Sequence, residues 1–110
     1  MNIMIGIPAY NEEKNIAILI SKLKKITDSI IVCDDGSTDL TAEIAEKMGA
    51  KVVKHERNKG YGGAIKTIFS HAGKMDADVL VTFDADGQHR IEDIEKVLGP
   101  IKNNKADMVI

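Results

Sequence analysis

Asp78-Val79-Leu80-Val81-Thr82-Phe83-Asp84-Ala85-Asp86-Gly87 sets an almost unbroken apolar run directly against two carboxylates. An antiparallel strand with one wet face alternates apolar and polar residues. A run without alternation belongs to a strand covered on both faces, the usual state of a parallel sheet flanked by helices. The run is too short to be a buried helix and it is rich in β-branched residues, so Asp78 to Phe83 reads as a strand.

Similar runs occur on both sides of it. Asn2 to Ile7 is a compact apolar run ended by Pro8, Ser29 to Cys33 is closed by Asp34-Asp35-Gly36, Lys51 to Lys54 is short, and Asp107 to Ile110 begins a fifth strand. Amphipathic stretches separate them. Ile16, Leu19, Ile20, Leu23 and Ile26 are spaced for a helix from Glu12 to Ile26, with Asn11 as N-cap and Glu12 and Glu13 in its first turn. Thr38 or Asp39 caps a second helix through Met48, ended by Gly49. Ala64, Ile65, Ile68, Phe69 and Ala72 share one side of a third, from Tyr61 to Gly73, and Ile91 to Asn103 reads as a fourth. The order β-α-β-α-β-α-β-α-β predicts an α/β, Rossmann-like, doubly wound and mostly parallel sheet with right-handed crossovers.

Ligands of such sheets bind beyond the carboxyl ends of the strands. The segments that follow the first four strands are the polar, glycine-rich and acidic ones: Pro8-Ala9-Tyr10-Asn11-Glu12, Asp34-Asp35-Gly36-Ser37-Thr38-Asp39, Asn58-Lys59-Gly60-Tyr61-Gly62-Gly63 and Asp84-Ala85-Asp86-Gly87-Gln88-His89. All four therefore fall on one rim. Asp84 and Asp86 repel each other unless a cation sits beside them, and ligands that are all oxygen suit magnesium or manganese. The plainer alternative is a strand cap followed by an Asx-turn at Gly87. Asp34 and Asp35 offer acceptors to a nucleobase N–H or a ribose hydroxyl, although Gly36, Ser37 and Asp39 also suit a turn and a helix cap. The glycines around Gly60 let backbone approach a ligand at a helix N-terminus. They match neither a P-loop nor G-x-G-x-x-G, and Pro8-Ala9-Tyr10-Asn11 after the first strand disfavours a dehydrogenase-like dinucleotide domain. Tyr10 places an aromatic side chain where it can stack on a base, and Tyr61 is a weaker instance of the same.

Composition bounds the rest. With 110 residues, 44% hydrophobic and 29% charged, the chain reads as one domain over residues 1–110 and not as a disordered, collagenous or disulfide-built protein. A net charge of -2 gives no electrostatic reason to expect nucleic acid or an anionic membrane as partner. No run approaches the ~20 apolar residues of a membrane span, and no secretory leader is evident, so a cytoplasmic location is expected. The single cysteine, Cys33, excludes an internal disulfide and a multi-cysteine zinc site and reads as a buried strand residue. His55 and His71 read as surface or helix-end residues.

The four rim segments in this order resemble the nucleotide-sugar-binding half of the family 2 glycosyltransferases, which have the GT-A fold, and within them the dolichyl-phosphate mannosyltransferase-like and other polyprenyl-phosphate sugar transferases. The resemblance covers essentially the whole chain. It implies that Pro8, Tyr10 and Glu12 line a nucleoside pocket, that Asp35 hydrogen-bonds the base with Asp34 nearby, and that Gly60 and the Asp84-Ala85-Asp86 segment contact the donor. Asp84, Asp86 and Gln88 would hold Mg2+ or Mn2+, which bridges the donor's diphosphate. The donor would be of the GDP-mannose or UDP-glucose type and transfer would invert the anomeric centre. Arg90 stands where many relatives have proline. Relatives also continue past the position of Ile110 into the acceptor half, so the resemblance implies a chain truncated at its C-terminus, with any catalytic base downstream and none within it. The alternative is a nucleotide or nucleotide-sugar binding module without transferase activity. Relatives place a later antiparallel strand beside the fourth one; without it an apolar edge is left open, which predicts a homodimer formed through that edge.

Overall fold

β-Branched residues dominate the strands of the structure, a computed structural model that describes residues 2–85 and the backbone of 108–109. The strands are β1 (Ile3–Ala9), β2 (Ile30–Asp34), β3 (Lys51–Lys54), β4 (Val79–Thr82) and β5 (Met108–Val109); the helices are α1 (Ile16–Leu23), α2 (Thr41–Lys47) and α3 (Gly60–Lys74). The sheet order is β3-β2-β1-β4-β5, and every pairing is parallel. This is the doubly wound α/β architecture that the alternation of runs predicts. β1 is central, pairing Ile5 with Ile30 on one side and Ile3 with Val79 on the other. At its start the Asn2 N–H donates to Asp78 Oδ2 at 2.6 Å.

Strand alternation sorts the core into two halves. Ile3, Ile5, Ile7 and Val32 face one side, packing with Ile16, Leu19, Ile20 and Leu23 of α1 and Ala45 of α2. Met4, Ile31, Cys33 and Leu80 face the other, packing with Ala64, Ile68 and Ala72 of α3. Gly6 lies on the α3 side, where a Cβ would overlap the Cγ2 of the fully buried Ile68. Its missing side chain is what lets α3 approach β1 so closely.

Several local expectations are corrected. Pro8 does not end β1, which continues to Ala9 and pairs Pro8 with Cys33. Asn11 does not cap the first helix, which begins at Ile16 with Asn15 before it. Asn11 instead adopts a left-handed conformation (φ 52°) and its side-chain oxygen accepts the Thr38 N–H at 2.8 Å. The second helix begins at Thr41, although Asp39 still serves it by accepting the Thr41 N–H at 3.0 Å. On α3, Ala64, Ile68 and Ala72 are buried but Phe69 is exposed. β4 is not an open edge at Leu80 and Val81, because β5 pairs with both. The expected fourth helix, Ile91 to Asn103, lies outside the described residues. Among those residues no helix is long and apolar enough to cross a membrane.

Candidate functional site

Proline sets where the sheet opens. The Phe83 N–H donates to Gly6 O on the β4 side of β1, while the Ile5 N–H donates to Ser29 O and Ala9 O accepts from Asp35 on the β2 side. Alternation turns the next β4-facing donor position to residue 8, and proline has no N–H to give. The β1–β4 ladder stops at Gly6 and Thr82 accordingly. β1 is also where the strand order reverses, the crevice in which open α/β sheets bind ligands. A cleft of about 190 Å3 lies on this rim, lined by Pro8, Ala9, Tyr10, Asp35, Asn58, Gly60, Tyr61 and Ala64. Two exposed aromatic rings, Tyr10 and Tyr61, stand among these walls. The volume suits a ring system and falls short of the roughly 300–1,000 Å3 that takes a drug-sized molecule whole.

Asp35 is the polar centre of this wall. Cys33 faces α3, so Asp34 turns away from that helix and Asp35 turns toward it. Asp35 Oδ1 accepts the Lys59 N–H at 2.7 Å, and Oδ2 accepts the Gly60 N–H at 2.9 Å. The carboxylate thus satisfies donors at the start of α3 and complements its dipole. His55 Nδ1 lies 2.8 Å from Asp35 Oδ1. Burial alone would push the Asp35 carboxyl upward, but the hydrogen bonds from Lys59, His55 and Gly60 outweigh it and hold the group below its ordinary value. It is therefore an ionised acceptor at neutral pH, and the hydrogen in that contact sits on His55 Nδ1. The other ring nitrogen, Nε2, lies 2.8 Å from Thr67 Oγ1 and 3.6 Å from Cys33 Sγ. Burial, then the negative charges of Asp35 and Asp34, push the Cys33 thiol up to about 11.

The remaining expected residues divide. Pro8, Tyr10, Asp35 and Gly60 come together at the cleft, whereas Glu12 and Asp34 are not among its walls. Asp34 is buried and its Oδ1 accepts the Ser37 N–H at 3.0 Å, closing the turn after β2. Glu12 holds Asn15 through its side chain at 3.0 Å, and its own N–H goes to Thr41 Oγ1 at 2.9 Å. The bond to Thr41, with Asn11 N–H to Ser37 Oγ at 2.8 Å and Glu13 N–H to Asp39 Oδ2 at 3.2 Å, clips the loop after β1 to the loop after β2 and the start of α2. Much of Asn11-Glu12-Glu13 and Ser37-Thr38-Asp39 therefore fixes one loop to the other.

Asp84 is half-buried at the end of β4, and Ala85 packs into the core at 3% exposure. Partial burial, then the charge of Asp84, raise the pKa of the Tyr61 hydroxyl above that of an ordinary tyrosine, which ties the acidic end of β4 electrostatically to the cleft. Asp86 and Gln88 lie outside the described residues. Among the described residues no group of three or more His, Cys, Asp or Glu side chains is arranged to hold a metal ion.

Sequence reasoning missed His55, placed above at the surface but in fact 8% exposed between β2 and α3. Its position just after β3 was a signal that its side chain borders the same rim. Its partners Asp35 and Thr67 are 20 and 12 positions away, and no local pattern joins them. Asn58 was read only as part of a glycine loop. It lines the cleft and accepts the Gly60 N–H at 2.9 Å through Oδ1.

Comparison with known proteins shows a match over residues 4–110 to the family described as Glycosyl transferase family 2. The UDP-N-acetylglucosamine–dolichyl-phosphate N-acetylglucosaminyltransferase of Methanococcus voltae is 42% identical over 126 residues, spanning 98% of this chain and 50% of that one. The dolichol-phosphate mannosyltransferase of Pyrococcus furiosus is 36% identical, spanning 100% of this chain and 32% of that one. Glucosyl-3-phosphoglycerate synthase from Mycobacterium tuberculosis, solved with Mn2+, uridine diphosphate and glucosyl-3-phosphoglycerate, superposes with a TM-score of 0.73 at 28% identity, over 91% of this chain and 39% of that one. The chain spans half or less of the length of each of these three relatives.

Proposed function

The chain belongs to glycosyl transferase family 2, and from that premise we propose that it is the donor-binding part of a metal-dependent, inverting sugar transferase. The donor is a nucleotide-diphospho-sugar and the acceptor is of the polyprenyl-phosphate type. The observation that carries this reading is the convergence of Pro8, Tyr10, Asp35 and Gly60 on one cleft at the point where the strand order reverses. The relatives' names support the same chemistry: two act on dolichyl or dolichol phosphate, and the solved structure holds Mn2+ and uridine diphosphate.

In this proposal the nucleoside enters between Tyr10 and Tyr61, and the diphosphate runs toward the end of β4. Asp84 offers a carboxylate there, the hard oxygen donor that Mg2+ or Mn2+ requires, and Asp86 and Gln88 would complete the set. The bound ion would neutralise charge on the departing diphosphate. Self-association through the outer edge of the sheet, which is β5's in this structure, belongs to the same proposal; light scattering at micromolar concentration reads it directly, and a monomer counts against it.

Isothermal titration of the chain with GDP and UDP, with and without Mn2+, tests the function. Binding of at least one diphosphate that strengthens with Mn2+, and loses that dependence in Asp86→Ala, is expected. Binding of neither would sink the reading. Binding without sugar transfer to a polyprenyl phosphate would favour the alternative, a nucleotide-sugar binding module.

A further inference from the structure

A chain of polar groups runs behind the cleft, along a layer that is otherwise apolar. Cys33, Ala64, Ile68 and Leu80 make up that layer between the sheet and α3. Beside it, His55 Nδ1 meets Asp35 Oδ1 at 2.8 Å, His55 Nε2 meets Thr67 Oγ1 at 2.8 Å, and Thr67 Oγ1 lies 3.1 Å from Gly63 O. The His55 backbone is fixed as well, its N–H donating to Asp34 O at 2.9 Å. The imidazole is thus held by β2 through Asp34 and Asp35, by β3 that precedes it, and by α3 through Thr67.

An apolar side chain at position 55 would fill this buried place with no polar atom to satisfy. What the polar chain adds is a fixed direction at its far end. It ends on Asp35, the one carboxylate among the cleft walls, and Asp35 comes from the end of β2. Gly60, Tyr61 and Ala64 are cleft walls carried by α3. Through Thr67, His55 ties the first wall to the helix that carries the others.

Proton counting shows how the ring is locked. Asp35 is ionised, so Nδ1 carries a hydrogen and Nε2 faces Thr67. The Thr67 hydroxyl has one hydrogen and two neighbours that can accept it. With a neutral ring the hydroxyl donates to Nε2. With a doubly protonated ring Nε2–H donates to Oγ1, and the hydroxyl donates to Gly63 O. Thr67 anchors the ring in both cases and Nδ1 keeps its hydrogen for Asp35. The Cys33 thiol, 3.6 Å from Nε2, is a weak partner by comparison.

We infer that His55 is a positioning residue of the nucleotide cleft, held in one orientation by the Thr67 hydroxyl and acting on bound nucleotide through Asp35. This inference rests on the nucleotide-binding reading above and adds to it two residues that do not line the cleft.

Titration of the whole chain and its variants with UDP and GDP in Mn2+ tests it, read on whichever diphosphate the parent binds. Thr67→Val keeps nearly the same shape and removes the hydroxyl. It is expected to weaken affinity about fivefold, the equivalent of one hydrogen bond. Thr67→Ser keeps the hydroxyl and is expected to stay within about twofold of the parent. A packing role predicts the reverse order, because valine fills the place better than serine. Thr67→Ala set against Thr67→Ser repeats the comparison for a single oxygen atom, should Thr67→Val fail to fold. In a His55→Asn background, where no ring nitrogen reaches Thr67, Thr67→Val is expected to have little further effect. Parent-like affinity in both Thr67→Val and Thr67→Ala, Thr67→Val binding more tightly than Thr67→Ser, or an undiminished effect of Thr67→Val in the His55→Asn background would overturn the inference and leave nucleotide binding standing. Failure of both diphosphates to bind the parent would overturn the nucleotide-binding reading and this inference with it.

Discussion

His55 Nδ1 lies 2.8 Å from Asp35 Oδ1, and both side chains are buried against α3. The contact joins the residue after β3 to the residue after β2, and through Asp35 it reaches the first N–H groups of α3. Removing the imidazole leaves a buried carboxylate short of one donor. His55→Leu is expected to cost about 1.5–3 kcal/mol, the range for a hydrogen bond to a charged group. His55→Asn, whose amide can supply one N–H, is expected to recover part of that loss. Urea denaturation of the three proteins measures it, and equal midpoints for His55→Leu and the parent would show that the contact contributes nothing.

The carboxyls of Asp35 and Asp39 both lie below their ordinary value. For each, burial raises the value and hydrogen bonds more than reverse it: from Lys59, His55 and Gly60 at Asp35, and chiefly from Thr41 at Asp39. A group whose folded value is depressed gives stability that is complete above its unfolded value, near ~3.9, and is lost as pH falls toward the folded value. Stability is therefore expected to decline below about pH 4, where the unfolded chain takes up protons first. Denaturation profiles between pH 6 and 3 read this directly, and Asp39→Asn should flatten the slope.

Cys33 is fully buried and its thiol is pushed up to about 11. The nucleophile toward a disulfide reagent is the thiolate. The folded protein at pH 8 is expected to react with a chromogenic disulfide far more slowly than a small free thiol, and to react at once in denaturant. Rapid labelling of the folded chain would show that β2 opens readily.

Gly6→Ala sets a methyl group against Ile68 Cγ2 across the β1–α3 contact. Neither partner has room to retreat, since Ile68 is fully buried and β1 is paired on both sides. A loss of about 1–3 kcal/mol is expected, the usual cost of overpacking a core. Ile68→Ala combined with Gly6→Ala should cost less than the sum of the two singles, which a double-mutant cycle measures.

Gly36 has φ 80°, and a Cβ there would stand 2.9 Å from the Asn58 backbone nitrogen. Gly36→Ala therefore pays a left-handed backbone cost of about 1–2 kcal/mol and also displaces the loop that carries Asn58. It is expected to weaken nucleotide affinity more than Gly6→Ala does, since Gly6 lies away from the cleft walls. Comparable losses for the two variants would argue against that coupling.

The sheet was readable in the chain because continuous apolar runs such as Val79 to Phe83 have one physical explanation, burial on both faces. The rim was readable because strand ends carry the polar residues, and Pro8, Tyr10, Asp35 and Gly60 meet there. Side-chain partnerships were not readable. Asn11 looked like a helix cap because a local rule ranks it so, yet Thr38, 27 positions away, takes its side chain. His55 looked exposed because its partners come from β2 and α3. Asp35 looked like a residue free for ligand, and only the folded geometry shows how many of its lone pairs are already taken.

The central place of β1 also has a consequence for synthesis. Asn2 and Asp78, bonded at the start of the β1–β4 pair, are 76 positions apart. At roughly 5–20 residues per second, β1 waits on the order of several seconds after its own synthesis for the neighbour that covers its second edge. During that interval β1 and β2 form a half-built sheet with an apolar border, the state in which a nascent chain is most open to capture by a chaperone or by another copy of itself.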